Sequence, residues 1–205
     1  MAMTLDGHVA HPTLPWEFGS REDRRRMDRL REWADCVIVS RKTIEHDNPD
    51  MRVRTKPHIQ RHPKVIIIMQ RAVPIRKSLR VAQFSSNPGE VWIQNATHLA
   101  SIHEIFPDAP AGWALRHFQS VTEIIEKLES AGHSKILIEG GPTLNGLFFE
   151  AGLIDEVHLT LLPLLWGGHS SDRIVMTKNV LPFQRFRVQR VERRGNEVFF
   201  RYVRN

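Results

Sequence analysis

Lys135-Ile-Leu-Ile-Glu-Gly-Gly-Pro-Thr-Leu-Asn-Gly146 passes from strand to helix with only a glycine turn between them. Lys135–Ile138 is a short apolar run of the kind that makes a buried strand. Pro142 suits the first position of a helix. Leu144, Leu147, Phe148 and Ala151 then share one stripe, and Gly152 ends it. The two glycines let a ligand approach the backbone, and the helix start points free N–H groups and its dipole at an anion. Glu139, at the C-terminal end of the strand, would sit beside that anion. Taken alone, the stretch fits a plain strand–helix turn with a solvated glutamate equally well.

Working outward, Ser120-Val-Thr-Glu123 is a capping box that opens a helix with Val121, Ile124, Ile125 and Leu128 inside and Gly132 as its stop. Val65-Ile-Ile-Ile-Met69 is an unbroken apolar run, as in a strand buried on both faces of a parallel sheet. Cys36–Val39, Glu90–Gln94 and Gly112–Phe118 are further strands. Ser20 caps a helix to about Asp35, with Met27, Leu30 and Ala34 on its buried face. Arg41–His62 is polar, proline-punctuated and reads as one long excursion. Val157–Leu165 is a strand interrupted at Pro163 and closed by Trp166-Gly-Gly168. Phe186–Glu192 and Val198–Val203 flank Arg193-Arg-Gly-Asn-Glu197, a hairpin signal. Strands alternating with helices, then a terminal antiparallel hairpin, predict a mixed α/β sheet with helices on both faces. No repeat or linker divides the chain, so a single domain is expected over residues 1–205.

Composition excludes several classes. Hydrophobic residues at 41% and charged residues at 25% rule out a disordered or collagenous chain. No apolar run approaches the roughly 18 residues of a membrane span, and Met1–Gly7, with no basic region before an apolar core, is not expected to be a secretory leader. Cys36, the lone cysteine, cannot form an internal disulfide; it reads as a buried strand thiol, and a cytoplasmic location is expected. Lysine and arginine number 29 against 23 acids, a net charge of +6 that favours anionic partners. The densest run, Arg21 to Glu32, holds six arginines but also four acids, with Glu22–Arg26 and Arg24–Asp28 at i,i+4. It reads as an ion-paired helix face and lacks the aromatics of a single-strand binder, so a phosphorylated small molecule fits better than nucleic acid.

Familiar catalytic motifs are missing. There is no G-x-G-x-x-G and no G-x-S-x-G, and Leu147-Phe148 replaces the Lys-Ser/Thr of a phosphate-binding Walker loop after Gly141–Gly146. His58 and His62 lack a zincin carboxylate, His8 and His11 lack partner ligands, and no metal is expected. Three segments remain: Ala2-Met-Thr-Leu-Asp-Gly-His8, Thr43-Ile-Glu-His-Asp-Asn-Pro-Asp-Met-Arg-Val-Arg54, and Ile138–Gly146. The second places a hydroxyl, a carboxylate and two arginines just past a strand end, which suits a hydroxylated, phosphorylated ligand.

In this order and spacing the three segments resemble the reductase domain of the bifunctional riboflavin-biosynthesis deaminase/reductase and the stand-alone pyrimidine reductases of that pathway. The elements that carry it are Met3-Thr-Leu-Asp-Gly7, Thr43 with Asp47-Asn-Pro49 and Arg54, and Glu139-Gly-Gly-Pro-Thr-Leu144, continuing through Ala151-Gly-Leu-Ile-Asp-Glu156 to Pro163 and Gly167-Gly168. The resemblance implies a dihydrofolate-reductase-like fold: a mixed, mostly parallel sheet flanked by helices on both faces, with a C-terminal antiparallel hairpin. It implies NADPH contacts from Ala2, Thr43, Asp47, Gly140 and the loop Gly141, Pro142, Thr143, Leu144, Asn145, Gly146 and Leu147. Substrate contacts fall on Arg31, Met51, Arg54 and Glu139, and the catalytic pair is Glu139 with Asp47. In such a family NADPH reduces C1′ of a ribosylamino-pyrimidine 5′-phosphate to a ribityl chain. Arg31 and Arg54 could then grip the phosphate, and Glu139 could hold sugar hydroxyls or face charge developing at C1′. A homodimer is expected.

The chain departs from the family at Ser40, where glycine is common, at Met69-Gln70, and across Thr13–Phe18, where Trp16 is out of register. No deaminase zinc motif precedes the domain, so deamination is expected elsewhere. Two other readings stand beside this one: a dihydrofolate-reductase-like NADPH reductase of another small substrate, and a non-catalytic basic binding protein on the same fold. Thr43, Asp47, Arg54 and Glu139 together favour an enzyme, because a bare binder needs none of that set.

Overall fold

The structure is a computed structural model and describes residues 1–9, 19–54, 62–75, 78–83, 89–94, 101–167 and 173–205. Thr13–Phe18, Trp16, His11, His58 and Gly168 lie outside the described residues. In chain order the elements are β1 (Ala2–Met3), α1 (Arg21–Trp33), β2 (Cys36–Ser40), α2 (Arg41–Asp47), β3 (Lys64–Met69), β4 (Gly89–Gln94), α3 (Ile102–Ile105), β5 (Ala114–Phe118), α4 (Val121–Ser130), β6 (Ile136–Ile138), α5 (Pro142–Glu150), β7 (Glu156–Leu161), β8 (Phe186–Arg194) and β9 (Glu197–Arg204). The chain forms two compact units, Arg26–Gly140 and Met1–Arg25 with Gly141–Asn205.

Arg26–Gly140 carries a parallel five-stranded sheet in the order β5-β4-β3-β2-β6. Its strands are the continuous apolar runs that a sheet covered on both faces requires. Val37, Val39, Val65, Ile67, Met69, Val91 and Ile93 alternate onto one face and join Ile44 of α2, Met51, Phe106 and Trp113 in the main core. The intervening Ile38, Ile66, Ile68 and Trp92 are buried on the other face. There Lys127 of α4 lies over the Trp92 ring, 5.7 Å from its centroid. Each fully buried isoleucine or valine contributes about 1.5–3 kcal/mol, so this sheet is the main apolar store of its unit.

The other unit carries a four-stranded sheet in the order β1-β7-β9-β8, with β1 parallel to β7 and the last three strands antiparallel. The predicted hairpin is present and longer than its apolar pattern indicates: Arg194 pairs with Glu197 across a two-residue turn. Gly195 there has φ 60° while Asn196 is not left-handed, the combination that puts glycine first in a tight hairpin turn. Ser20 caps α1, its Oγ accepting the N–H groups of Glu22 at 3.0 Å and Asp23 at 3.2 Å. Its hydroxyl donates to Glu197 at 2.5 Å, and Thr160 donates to Asp23 at 2.6 Å.

Three expectations are corrected, and one element that was not expected, α3, is present. The first seven residues of the Arg41–His62 excursion form α2, because Ser40 is an N-cap: its Oγ accepts the Thr43 N–H at 3.1 Å. Asn48 ends that helix in the left-handed region, φ 44°. Ser101 and Glu104 build a capping box that opens the short α3. The strand expected to reach Leu165 stops at Leu161, two residues before Pro163, which has no N–H for a ladder. On α1 the buried side chains are Asp28 and Arg31, whereas Met27 and Leu30 are half-buried. Ion pairs at i,i+3 join Glu22 to Arg25 and Asp28 to Arg31.

Cys36 sits in β2 with no exposed surface. Burial pushes its thiol up to about 12, reinforced by Asp35 and Glu90 and only partly opposed by Lys64. Native protein is therefore expected to leave a thiol-reactive chromophore untouched at mildly alkaline pH and to release one equivalent only on denaturation. Stoichiometric reaction of the folded protein would contradict this burial.

Candidate active site

In the five-stranded sheet the chain runs from β2 outward through β3 and β4 to β5, then returns to lay β6 on the opposite side of β2. The strand order therefore reverses between the neighbours β2 and β6, and such a switch point opens a crevice beyond the C-terminal strand ends. The register pairs Ile38 with Ile138, and the Glu139 N–H donates to the Ile38 carbonyl at 2.9 Å. Ser40, which ends β2, Thr43 just beyond it, and Glu139, following β6, therefore emerge at the same sheet end.

A charged cluster occupies this end. Arg31 Nε donates to Glu139 Oε2 at 2.9 Å and its Nη2 donates to Glu139 Oε1, a two-pronged ion pair. Arg31 also donates to the Arg52 carbonyl at 3.3 Å and lies against the Met51 sulfur. Burial opposes the charge on Arg31, but Glu139, with Asp28 and Asp50, outweighs it and raises the guanidinium above its ordinary value. Arg54 Nε meets Asp28 Oδ1 at 3.4 Å. Asp50 accepts the Arg52 N–H at 3.2 Å and pairs with the guanidinium groups of Arg52 at 3.4 Å and Arg80 at 3.3 Å. Burial pushes the Asp50 carboxyl up; the Arg52 amide and the charges of Arg54, Arg52 and Arg31 more than reverse this and hold it low.

Three expected substrate residues thus share one cluster with Met51, whose side chain is wholly buried and whose backbone is left-handed at φ 57°. For a non-glycine residue that geometry costs about 1–3 kcal/mol and is held only by its surroundings. Asp28, Asp50 and Arg80 were not singled out from the sequence. The available signal was an acid three residues before Arg31 on a helix, and an acid directly after Asn48-Pro49. Of the expected cofactor residues in this unit, Thr43 Oγ1 lies 2.9 Å from Ser40 Oγ, and Asp47 accepts from or pairs with His46 Nδ1 at 2.6 Å.

In the other unit, α5 opens at Gly141 with no side-chain cap and Pro142 at its start, leaving exposed Thr143 beside uncapped amides. This end suits the phosphates of a dinucleotide. Further along α5 the side chains are committed to packing. Leu144 is buried, Leu147 is half-buried, and the Asn145 amide donates to the Ile174 carbonyl at 2.8 Å. A Cβ on Gly146 would lie 1.8 Å from the Met176 carbonyl oxygen, so glycine is needed there for close backbone approach. Ala2 pairs with Thr160 through β1. The Leu5-Asp6-Gly7 turn is stitched to the segment after β7. Thr4 Oγ1 donates to Asp6 at 2.5 Å, and the N–H groups of Gly167 and Trp166 donate at 2.8 and 3.2 Å.

A profile of the RibD C-terminal domain matches residues 1–200. The chain belongs to the RibD C-terminal domain family. A 2,5-diamino-6-ribosylamino-4(3H)-pyrimidinone 5′-phosphate reductase of Methanothermobacter thermautotrophicus is 26% identical over 174 residues, 85% of this chain and 80% of that one. Its counterpart in Archaeoglobus fulgidus is 23% identical, covering 95% and 91%. Among solved structures, a pyrimidine reductase-like protein of Corynebacterium diphtheriae superposes with TM-score 0.80 at 18% identity, over all of this chain and 89% of that one. The Thermotoga maritima deaminase/reductase gives TM-score 0.78 at 21% identity, and this chain spans 55% of its length. These likenesses establish the RibD-domain fold. Among the described residues, no helix is long and apolar enough to cross a membrane, and no group of three acids, histidines or cysteines is placed to hold a metal.

Two predictions test the α5 and Asp6 assignments. Gly146→Ala is expected to lower the melting temperature, since overpacking against a backbone carbonyl costs about 1–3 kcal/mol; an unchanged melting temperature would show that the Met176 segment can retreat. For Asp6, the bond from Thr4 and then that from Gly167 bring the carboxyl down to about 2 from 3.8. The folded state thus binds this proton less tightly than the unfolded state. The stability Asp6 lends is complete above about pH 4 and is lost as pH falls through about 2. In paired melting curves Asp6→Asn should lag the parent at neutral pH and converge with it toward pH 2. A gap that stays constant with pH would remove the carboxylate charge from the explanation.

Proposed function

We propose that this chain is an NADPH-dependent reductase of a ribosylamino-pyrimidine 5′-phosphate in riboflavin biosynthesis. The substrate is 5-amino-6-(5-phosphoribosylamino)uracil or its diamino-pyrimidinone counterpart. The observation that carries the reading is the Arg31–Glu139 ion pair at the sheet's switch point, with Arg54 held nearby on Asp28. A carboxylate held at that strand end serves a reductase site, where positive charge develops on the substrate; a bare binder needs no such charge facing its ligand. Two named relatives of similar length are reductases of the diamino compound.

The residues present fit the cofactor. Gly141, Pro142 and Thr143, at the uncapped start of α5, would take its phosphates. Bound NADPH supplies the hydride for C1′ of the substrate sugar. The chain's own residues orient and stabilise. Arg54 binds the 5′-phosphate, and Glu139 accepts sugar hydroxyls and favours positive charge developing at C1′. Thr43, in the first turn of α2, and Asp47, at its last residue, belong to the same assignment. We place residues 1–205 in one functional domain and expect a homodimer.

The test is loss of NADPH absorbance with each pyrimidine phosphate, with product mass showing addition of two hydrogens. Failure to oxidise NADPH with either substrate would reject the reading. Because Glu139 neutralises a buried arginine, Glu139→Gln is expected to lower stability as well as turnover; breaking such a pair costs about 3–5 kcal/mol, reduced here because Glu139 keeps 20% of its surface exposed. Measured per folded molecule below the melting transition, kcat should fall by about tenfold or more. Full kcat in the folded variant would leave Glu139 a purely structural partner of Arg31.

A further inference from the structure

Asp28 is a carboxylate with 4% of its surface exposed, one helical turn before Arg31. It meets the Arg54 Nε at 3.4 Å and an Arg31 Nη at 3.9 Å, and Arg31 in turn holds Glu139. The four side chains form one chain of alternating charge: Arg54, Asp28, Arg31, Glu139. Its inner members are closed to solvent, each side chain 5% exposed, while Arg54 keeps 38% and Glu139 20%.

That division decides what each member can do. Arg31 spends three of its five N–H donors on protein, two on Glu139 and one on the Arg52 carbonyl. Asp28 is shut away from any ligand yet touches the arginine that is open to one. A long arginine side chain loses rotamer freedom when it grips an anion, and a buried carboxylate at its Nε removes part of that loss in advance. The charges within the chain cancel, two against two, so ordering the arginines does not require the substrate to be present.

We propose that Asp28 is a positioning residue of the substrate site. It fixes the Arg54 guanidinium for a phosphate monoester and, through Arg31, helps seat the Glu139 carboxylate. This rests on the reductase reading for the identity of the phosphate's bearer, but not for the arrangement of Arg54.

The experiment is a double-mutant cycle on the full chain with Asp28→Asn, Arg54→Ala and the pair, and Asp28→Ser as a second variant should the asparagine fail to fold. With the pyrimidine phosphate, Asp28→Asn is expected to raise KM by about tenfold, with the larger share of the loss in KM rather than kcat. In the Arg54→Ala background the same substitution should add little, because its target is gone. Independent multiplication of the two effects, or a lowered melting temperature with unchanged KM, would overturn the proposal. In parallel, inorganic phosphate is titrated against the unliganded proteins while the Arg54 Nε–H NMR signal is followed. Asp28→Asn should weaken phosphate binding at Arg54 by a similar factor and expose that proton to faster exchange. Unchanged phosphate affinity and exchange would also overturn it. If neither pyrimidine phosphate is reduced by the parent protein, the reductase reading fails, and the phosphate titration still decides the role of Asp28.

Discussion

A guanidinium as deeply buried as that of Arg31 is stable only where carboxylates meet it, since the desolvation of an isolated charge costs several kcal/mol. Glu139 supplies the match with two parallel contacts, and Asp28 and Asp50 add to it. That requirement ties the last turns of α1 to the end of β6 and to the carbonyl of Arg52. The left-handed backbone at Met51 is held between this ion pair and the apolar core that its side chain enters. The candidate site is therefore an electrostatic necessity of the fold as much as a functional feature. Removing one member leaves the others in an unfavourable environment.

The parallel sheet explains why the pair lies where it does. Parallel strands bring all their C-terminal ends to one side, and return crossovers hide both faces beneath helices. With β2 and β6 adjacent, the residues following each strand meet at that end regardless of the nearly one hundred positions between them. Charge that would be intolerable beneath the sheet is admissible at its rim, where Arg54 and Glu139 retain contact with water.

Much of this was legible in the sequence. The apolar runs at Val65–Met69 and Lys135–Ile138, the proline-led helix at Pro142 and the terminal hairpin all appear where their local chemistry places them; Ser120 caps its helix, although Glu123 reaches back to the Gln119 N–H rather than closing a capping box. Glu139, Arg31, Met51 and Arg54 were marked as one substrate set, and the structure brings them into one cluster. The errors share a cause. Ser40 was read as a departure in a glycine position, and its capping oxygen, which begins α2, went unused. Met27 and Leu30 were given the buried face of α1 because apolar periodicity assumes that charged residues face water.

The sequence by itself determined the elements and their order, because capping, proline and glycine placement, and apolar period act over a few residues. It also determined the family, through motifs spread along the chain. Only the tertiary structure decided which charges were buried and with whom. Asp28 and Arg31 are adjacent on a helix, but their burial depends on Glu139, 108 residues from Arg31, and on Arg54, 26 residues from Asp28. Likewise, nothing near position 146 in sequence shows that its glycine is needed for close approach of the Met176 carbonyl. Both outcomes depend on what packs opposite a residue, and that is set by the path of distant chain rather than by any neighbour in sequence.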